Sequence, residues 1–196
     1  MDDKDRIIKE ILDIEWELFT NLNNVGGRAN CQDNKNEFLI TRSSQWENLS
    51  RNVCYSYLKD LHNARISNTN PLFEKYAYMM EYTHKDEFDK IKMYLPEEDE
   101  RKNKVISKIE EIVMNWEKEF HSKYPKISKF VRQIDIDDVA PARAYLIGEH
   151  KSYSYTTNLI YLEYIKTLDF NLVEKIYSDI IAKKGLKDLD TLEGSL

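Results

Sequence analysis

Helix-breaking residues are scarce in this chain. Its 196 residues include only five glycines and four prolines, and β-branched residues rarely alternate with polar ones. Glycine and proline interrupt helices, while period-two alternation marks half-buried strands. Their scarcity argues against a turn-rich sandwich or barrel and predicts an all-α fold, a bundle-like packing of several helices with no significant sheet. Two cysteines, Cys31 and Cys54, are too few for the disulfide framework of a secreted scaffold and point to a reducing compartment. No apolar run approaches membrane-spanning length, and the charged start Asp2-Asp3-Lys4-Asp5-Arg6 is unlike a signal peptide, so the expectation is a cytoplasmic protein without membrane contact. Positive charge is not in excess either. With 29 Lys and Arg against 35 Asp and Glu, the net charge is −6, which argues against a nucleic-acid partner. No Pro-, Gly- or Ser-rich linker divides residues 1–196, so the expectation is one helical domain with a frayed tail from about residue 186.

What is present is mostly helical periodicity. Ile7, Ile11, Ile14, Leu18 and Leu22 fall at three- and four-residue steps and predict a first helix over about 5–21. A second, longer helix is predicted over 36–65, with a break, if any, near Ser43-Ser44. Its stripe is Arg42, Trp46, Leu49, Val53, Tyr57, Asp60 and Ala64, which sets two charged residues among apolar ones. Asn70-Pro71 is a strong helix start, with a capping Asn and a Pro where its missing donor is harmless. Thr83 with Asp86 suits the cap of a short helix carrying Phe88, Ile91 and Leu95. Pro96 and the acidic run from Glu97 suit the first turn of a helix reaching Phe120, after which 126–138 is the least regular stretch. Pro141 is expected to open one long helix with the stripe Tyr145, Glu149, Tyr153, Thr156 and Ile160. A last helix covers about 172–183, before Gly185.

The paired glycines Gly26 and Gly27, beside Arg28, mark the best candidate loop, because glycine permits positive φ and close approach to a ligand. The loop matches no phosphate-binding fingerprint, and its alternative role is a helix end whose Arg28 meets an internal carboxylate. Glu15, Arg28, Gln32, Arg42, Gln45, Asp60, Glu74, Lys75 and Glu149 form a polar constellation spread over four helices and this loop. If they converge, Arg28 and Arg42 would hold a carboxylate or phosphate, Gln32 and Gln45 would orient it, and Glu74 or Glu149 would transfer a proton. The competing reading is a buried salt-bridge network that fixes helix register. Replacing Arg28 by Ala is expected to abolish ligand binding without loss of helix. Cys31 is a candidate nucleophile only if an electropositive neighbour ionises it, and is otherwise a small buried hydrophobe. Glu81 and His84 have Glu-x-x-His spacing, but the second copy that a di-metal bundle needs is missing. No cofactor and no metal site is indicated.

Several separated blocks nevertheless share a pattern. These are Glu15-Trp16, Asn24-Val25-Gly26-Gly27-Arg28-Ala29-Asn30-Cys31-Gln32, Arg42-Ser43-Ser44-Gln45, Ser56-Tyr57 with Asp60, Glu74-Lys75-Tyr76-Ala77, Met79-Met80-Glu81-Tyr82-Thr83, Tyr124-Pro125, Tyr145-Leu146, and Gly148-Glu149 with Tyr153 and Ser154. In order and spacing they resemble the bacterial domain-of-unknown-function family 4125, over nearly the whole chain. The resemblance implies a soluble bacterial domain, and, through members fused to a nucleotidyltransferase-like domain, an accessory role beside such an enzyme as the alternative to small-anion binding. Tyr78, and the stretch Ala140-Pro141-Ala142-Arg143, depart from the family pattern, which weakens any role for that face.

Overall fold

The computed structural model describes residues 2–22, 27–132, 134 and 141–196. Ten α-helices and no strand occur among them: α1 (Asp3–Thr20), α2 (Lys35–Glu47), α3 (Arg51–Ile66), α4 (Pro71–Thr83), α5 (Lys85–Ile91), α6 (Glu100–Lys123), α7 (Ala142–Ser152), α8 (Tyr155–Ile165), α9 (Leu172–Lys183) and α10 (Leu189–Ser195). The all-α expectation holds. Helix α1 packs on α2 and α3, α3 on α8, α6 on α7, α8 and α9, and α4 lies along α7 in the most extensive pairing.

One contiguous apolar cluster runs through these helices, with Ile11, Trp46, Val53, Leu61, Ile109, Phe120 and Ile165 almost fully removed from water. Each such side chain contributes roughly 1.5–3 kcal/mol by burial, which is what holds together helices too short to persist alone.

Two helices expected to be continuous are broken. The 36–65 segment divides at Asn48–Ser50 and not at Ser43-Ser44. The Ser50 hydroxyl accepts from the Val53 N–H at 3.3 Å and starts α3, while Asn48 Nδ2 donates to the Ser44 carbonyl at 2.8 Å and closes α2. The helix expected from Pro141 divides at Tyr153-Ser154, where the backbone is extended and the Ser154 hydroxyl accepts from Thr157 N–H at 3.1 Å. Asn158 then ties the corner by donating to the His150 and Ser154 carbonyls. Both breaks have one cause: a serine side chain offers the backbone a cap, and the tertiary path takes it. The second break turns Thr156 outward and buries Thr157 and Asn158 in its place.

Other boundaries shift by less. Asn70 caps α4 through the Leu72 and Phe73 N–H groups, as its sequence predicts. Thr83 ends α4 instead of capping α5, because the cap position falls on His84. Helix α6 begins after Asp99, which accepts from Arg101 and Lys102 N–H, so Glu97 and Glu98 precede it. The tail expected to fray carries α10, capped by Asp188 and anchored where Glu193 accepts the Lys126 and Ile127 N–H groups.

Gly148 sets the α4–α7 spacing. A methyl group there would stand 2.7 Å from the Lys75 carbonyl oxygen and 2.8 Å from Met79 Cγ, inside any ordinary contact. Only glycine lets the two helix backbones approach this closely, and that approach brings the next residue, Glu149, to Lys75.

Candidate functional site

The polar residues on the inner stripes of α1, α2, α4 and α7 converge. Glu15 is fully buried and receives both Arg42 Nε at 2.9 Å and Arg42 Nη2 at 2.5 Å. The Tyr57 hydroxyl at 2.9 Å and Trp46 Nε1 at 3.3 Å complete its shell. The other face of the Arg42 guanidinium donates through Nη1 to Glu149 at 2.8 Å and to Gln45 Oε1 at 2.6 Å. Glu149 also accepts from Lys75 Nζ at 2.8 Å, Gln45 Nε2 at 2.9 Å and the Tyr153 hydroxyl at 2.6 Å. Trp46, Tyr57 and Tyr153 wall the cluster, with ring centroids 4.5 Å apart for Trp46–Tyr57 and 4.6 Å for Tyr57–Tyr153.

Two acidic side chains face two basic ones, a pairing that offsets the cost of burying them. Burial opposes the charge on Glu149, but Arg42 and Lys75 outweigh it and hold the carboxyl well below the usual range. Burial likewise opposes the Arg42 cation and is overcome by Glu149 and Glu15, so its pKa is raised. Lys75 goes the other way: burial lowers its pKa, and Glu149 only partly compensates. Burial, then the neighbouring carboxylates, push Tyr57 and Tyr153 far up, leaving both as neutral donors.

One edge of the cluster remains reachable. The side chains of Arg42 and Lys75 are each 10% exposed and that of Glu149 13%, whereas Glu15 has no exposure. Around this edge stand Tyr76, Tyr145 and Arg132, whose guanidinium lies 3.8 Å above the Tyr145 ring centre. The Tyr76 hydroxyl is within electrostatic reach of Tyr145, Arg42, Cys31 and Arg132. Among the described residues, Lys75 makes one hydrogen bond, to Glu149, and an ammonium carries three donors.

The remaining candidates lie elsewhere. Arg28 is half-exposed and folds back on its own loop, donating to the Thr20 carbonyl at 2.8 Å, the Gln32 carbonyl at 3.0 Å and the Asp33 carboxylate at 2.8 Å. Gln32 is buried; its Nε2 donates to the Phe19 and Leu22 carbonyls, and its Oε1 accepts from Ala29 N–H. Together they close the C-terminal end of α1, where carbonyls otherwise lack partners. Gly27 has φ +87°, a conformation that favours glycine. Gly26 lies outside the described residues. Asp60 accepts the Ser154 N–H at 3.0 Å and so supports the α7–α8 corner. Glu74, although adjacent in sequence to Lys75, faces Lys102; burial raises its carboxyl and Lys102 opposes that rise. Lys102 in turn donates to the Lys151 and Tyr153 carbonyls.

Cys31 is exposed, contrary to the buried-hydrophobe reading, and Cys54 is buried with its thiol pushed up to about 11 by desolvation. Glu81 pairs with Lys151, and His84 sits exposed before α5. Among the described residues, no group of three or more His, Cys, Asp or Glu is arranged to hold a metal ion.

Sequence reading missed Tyr57, Trp46 and Tyr153 as donors, although their places on the Arg42 and Glu149 stripes were the available signal. It also missed Arg132, which sits in the least regular stretch, where periodicity carries no information.

The fold and site define an all-helical protein whose core contains a charge-balanced, four-helix polar cluster, slightly exposed at Arg42, Lys75 and Glu149. The chain belongs to the family described as "Protein of unknown function (DUF4125)", whose family model matches residues 5–194. No curated protein and no solved structure matches it. Among the described residues, no helix is long and apolar enough to cross a membrane.

Proposed function

We propose that this protein binds a small anionic metabolite, of the carboxylate or phosphate class, at the open edge of the polar cluster. The observation that carries the reading is Lys75: a buried ammonium with one described hydrogen bond, flanked by Arg42 and Arg132. Arg42, Lys75 and Arg132 share this edge, while among the described residues Glu149 is the one carboxylate on it, since Glu15 is sealed behind Arg42. With one of its three donors on Glu149, the ammonium has capacity to donate to an anion as well. The Arg42 guanidinium is fixed as a rigid fork by Glu15, and Gln45 helps fix the Glu149 carboxylate that pairs with it and with Lys75.

Proton transfer has less support than binding. Glu149 is held ionised by four donors, so it acts as a fixed counter-charge, and Glu74 faces Lys102 instead of Lys75. The loop residues Arg28 and Gln32 then support the site by ending α1, without touching the ligand.

The alternative is an accessory domain docked on a nucleotidyltransferase-like enzyme. A groove of about 550 Å³ between α1 and α3, lined partly by Ile7, Tyr55 and Leu58, would suit it. Several charged groups there already have partners, Asp3 with Arg6 and Arg51, and Glu10 in a hydrogen bond with His62, which favours the anion reading.

The test is a thermal-shift and calorimetric screen against sulfate, phosphate and small di- and tricarboxylates, repeated on Lys75→Met and Arg132→Ala. A ligand that stabilises the parent and neither variant supports the proposal, because binding to the native state raises stability by mass action. A screen in which no anion shifts the parent overturns it.

A further inference from the structure

Outside the cluster just described, α6 carries an acidic and an imidazole side chain four residues apart, the spacing that makes them neighbours on one helix face. Glu117 Oε2 and His121 Nε2 lie 3.9 Å from each other, too far for a hydrogen bond. Both atoms are buried, and neither has a hydrogen-bond partner. Buried polar atoms without partners are uncommon, and each needs a physical account.

The chemistry of the two atoms narrows that account. A carboxylate oxygen only accepts, and a histidine nitrogen does the same when the ring proton sits on the other nitrogen. His121 hydrogen-bonds the Arg132 backbone, and because Nε2 has no partner, that bond belongs to Nδ1 and keeps the proton there. Two lone-pair atoms then border one gap, an arrangement that calls for a positive centre between them. The neighbouring guanidinium does not fill it: Arg132 makes no hydrogen bond to Glu117 Oε2 and lies 3.8 Å above the Tyr145 ring centre.

The spacing suits a metal ion. Bonds of about 2.0–2.1 Å to imidazole nitrogen and about 2.0–2.2 Å to carboxylate oxygen sum to roughly 4.1 Å, so an ion between the two atoms touches both with the helix unmoved. Drawing the side-chain tips together by roughly half an ångström brings the angle at the ion to the tetrahedral value. A ring whose second nitrogen is tied to a backbone carbonyl is also the usual form of a histidine ligand. The side chains are 16% exposed for His121 and 13% for Glu117, so an ion enters from solvent and keeps water on its remaining positions.

We infer that Glu117 and His121 form a binding site for a divalent transition-metal ion of the zinc class, with two protein ligands and water completing the shell. Imidazole favours such ions, whereas magnesium and calcium take oxygen ligands. Among the described residues no third His, Cys, Asp or Glu joins the pair, so the site is an open one with exchangeable positions. It shares no ligand with the anion edge and does not rest on the anion-binding reading.

Zinc alone is the probe, titrated into the chain in a Cys31→Ser background that removes the exposed thiol. The His121 ring nitrogens are followed by NMR, so that zinc held at the exposed His62–Glu10 pair is not counted. The expected result is a saturable shift of His121 Nε2 that magnesium does not produce. In Glu117→Gln the zinc concentration at its midpoint should rise about tenfold or more, since even a partner that only supports a ligand is worth 10–100-fold. A His121 resonance that stays in place under excess zinc overturns the inference, with no variant required to fold. A midpoint unchanged in Glu117→Gln, or an equal response to magnesium, overturns it as well.

Discussion

Replacing Glu149 by Gln should destabilise the protein more than any comparable surface change. The carboxylate accepts from Arg42 and Lys75, each at 2.8 Å, and from Gln45 and Tyr153. Glutamine keeps the shape but removes the charge, leaving two buried cations against Glu15 alone. Breaking a buried ion pair from one side costs about 3–5 kcal/mol. For a chain of this size, roughly 2–4 °C of melting temperature accompany each kcal/mol, so the midpoint should fall by about 6–20 °C. Lys75→Met should also destabilise, and the double variant should lose less than the sum of the singles by about 1–3 kcal/mol, because it restores charge balance. Urea titration followed by circular dichroism at 222 nm measures the cycle. Additive losses, or a Glu149→Gln protein within about 1 kcal/mol of the parent, would refute the view that these charges hold one another in place. A rise in melting temperature would also refute it, and would mark the cluster as strained for ligand binding.

Other consequences concern packing, capping and pH. Gly148→Ala inserts a methyl group 2.7 Å from the Lys75 carbonyl, so it should cost about 1–3 kcal/mol in a urea melt and weaken anion binding by spreading α4 from α7. Gln32→Ala should cost about 1–3 kcal/mol by stranding the Phe19 and Leu22 carbonyls. Arg28→Ala should cost less and leave sulfate affinity unchanged, opposite to the expectation from sequence; loss of sulfate binding would return Arg28 to the site. Glu149 and Glu117 should give opposite pH slopes. The lowered Glu149 contributes stability that is complete above the unfolded carboxylate value and is lost as pH falls through its folded value, well below 4.5. The raised Glu117 contributes stability that is complete below 4.5 and is lost as pH climbs to about 7. Up to about 3 kcal/mol is at stake, and the loss should be absent from Glu117→Gln when melts are compared across that interval.

The inner stripes were legible because helical periodicity is local. Arg42, Trp46, Leu49, Val53 and Tyr57 lie on the buried side even though the helix that carries them is broken at Asn48–Ser50. The break itself was not read, since a serine within a periodic run serves equally as a helix residue or as a cap, and only packing of α3 against α1 and α8 chooses. Pairing was less accessible. Spacing set Arg42 and Glu149 on inward faces, but their sequence separation of 107 residues gives no sign that they meet at 2.8 Å.

The sequence by itself determined the helical class, the α4 cap, the span of α9 and the apolar stripes, because each follows from propensity or from the 3.6-residue period. Tertiary structure alone decided that Arg28 and Gln32 close the end of α1, that Glu74 faces Lys102, and that Lys75, Arg42 and Glu149 meet at one edge. Such choices depend on which charges burial brings together, and on a glycine contact between two helices that are more than fifty residues apart in sequence.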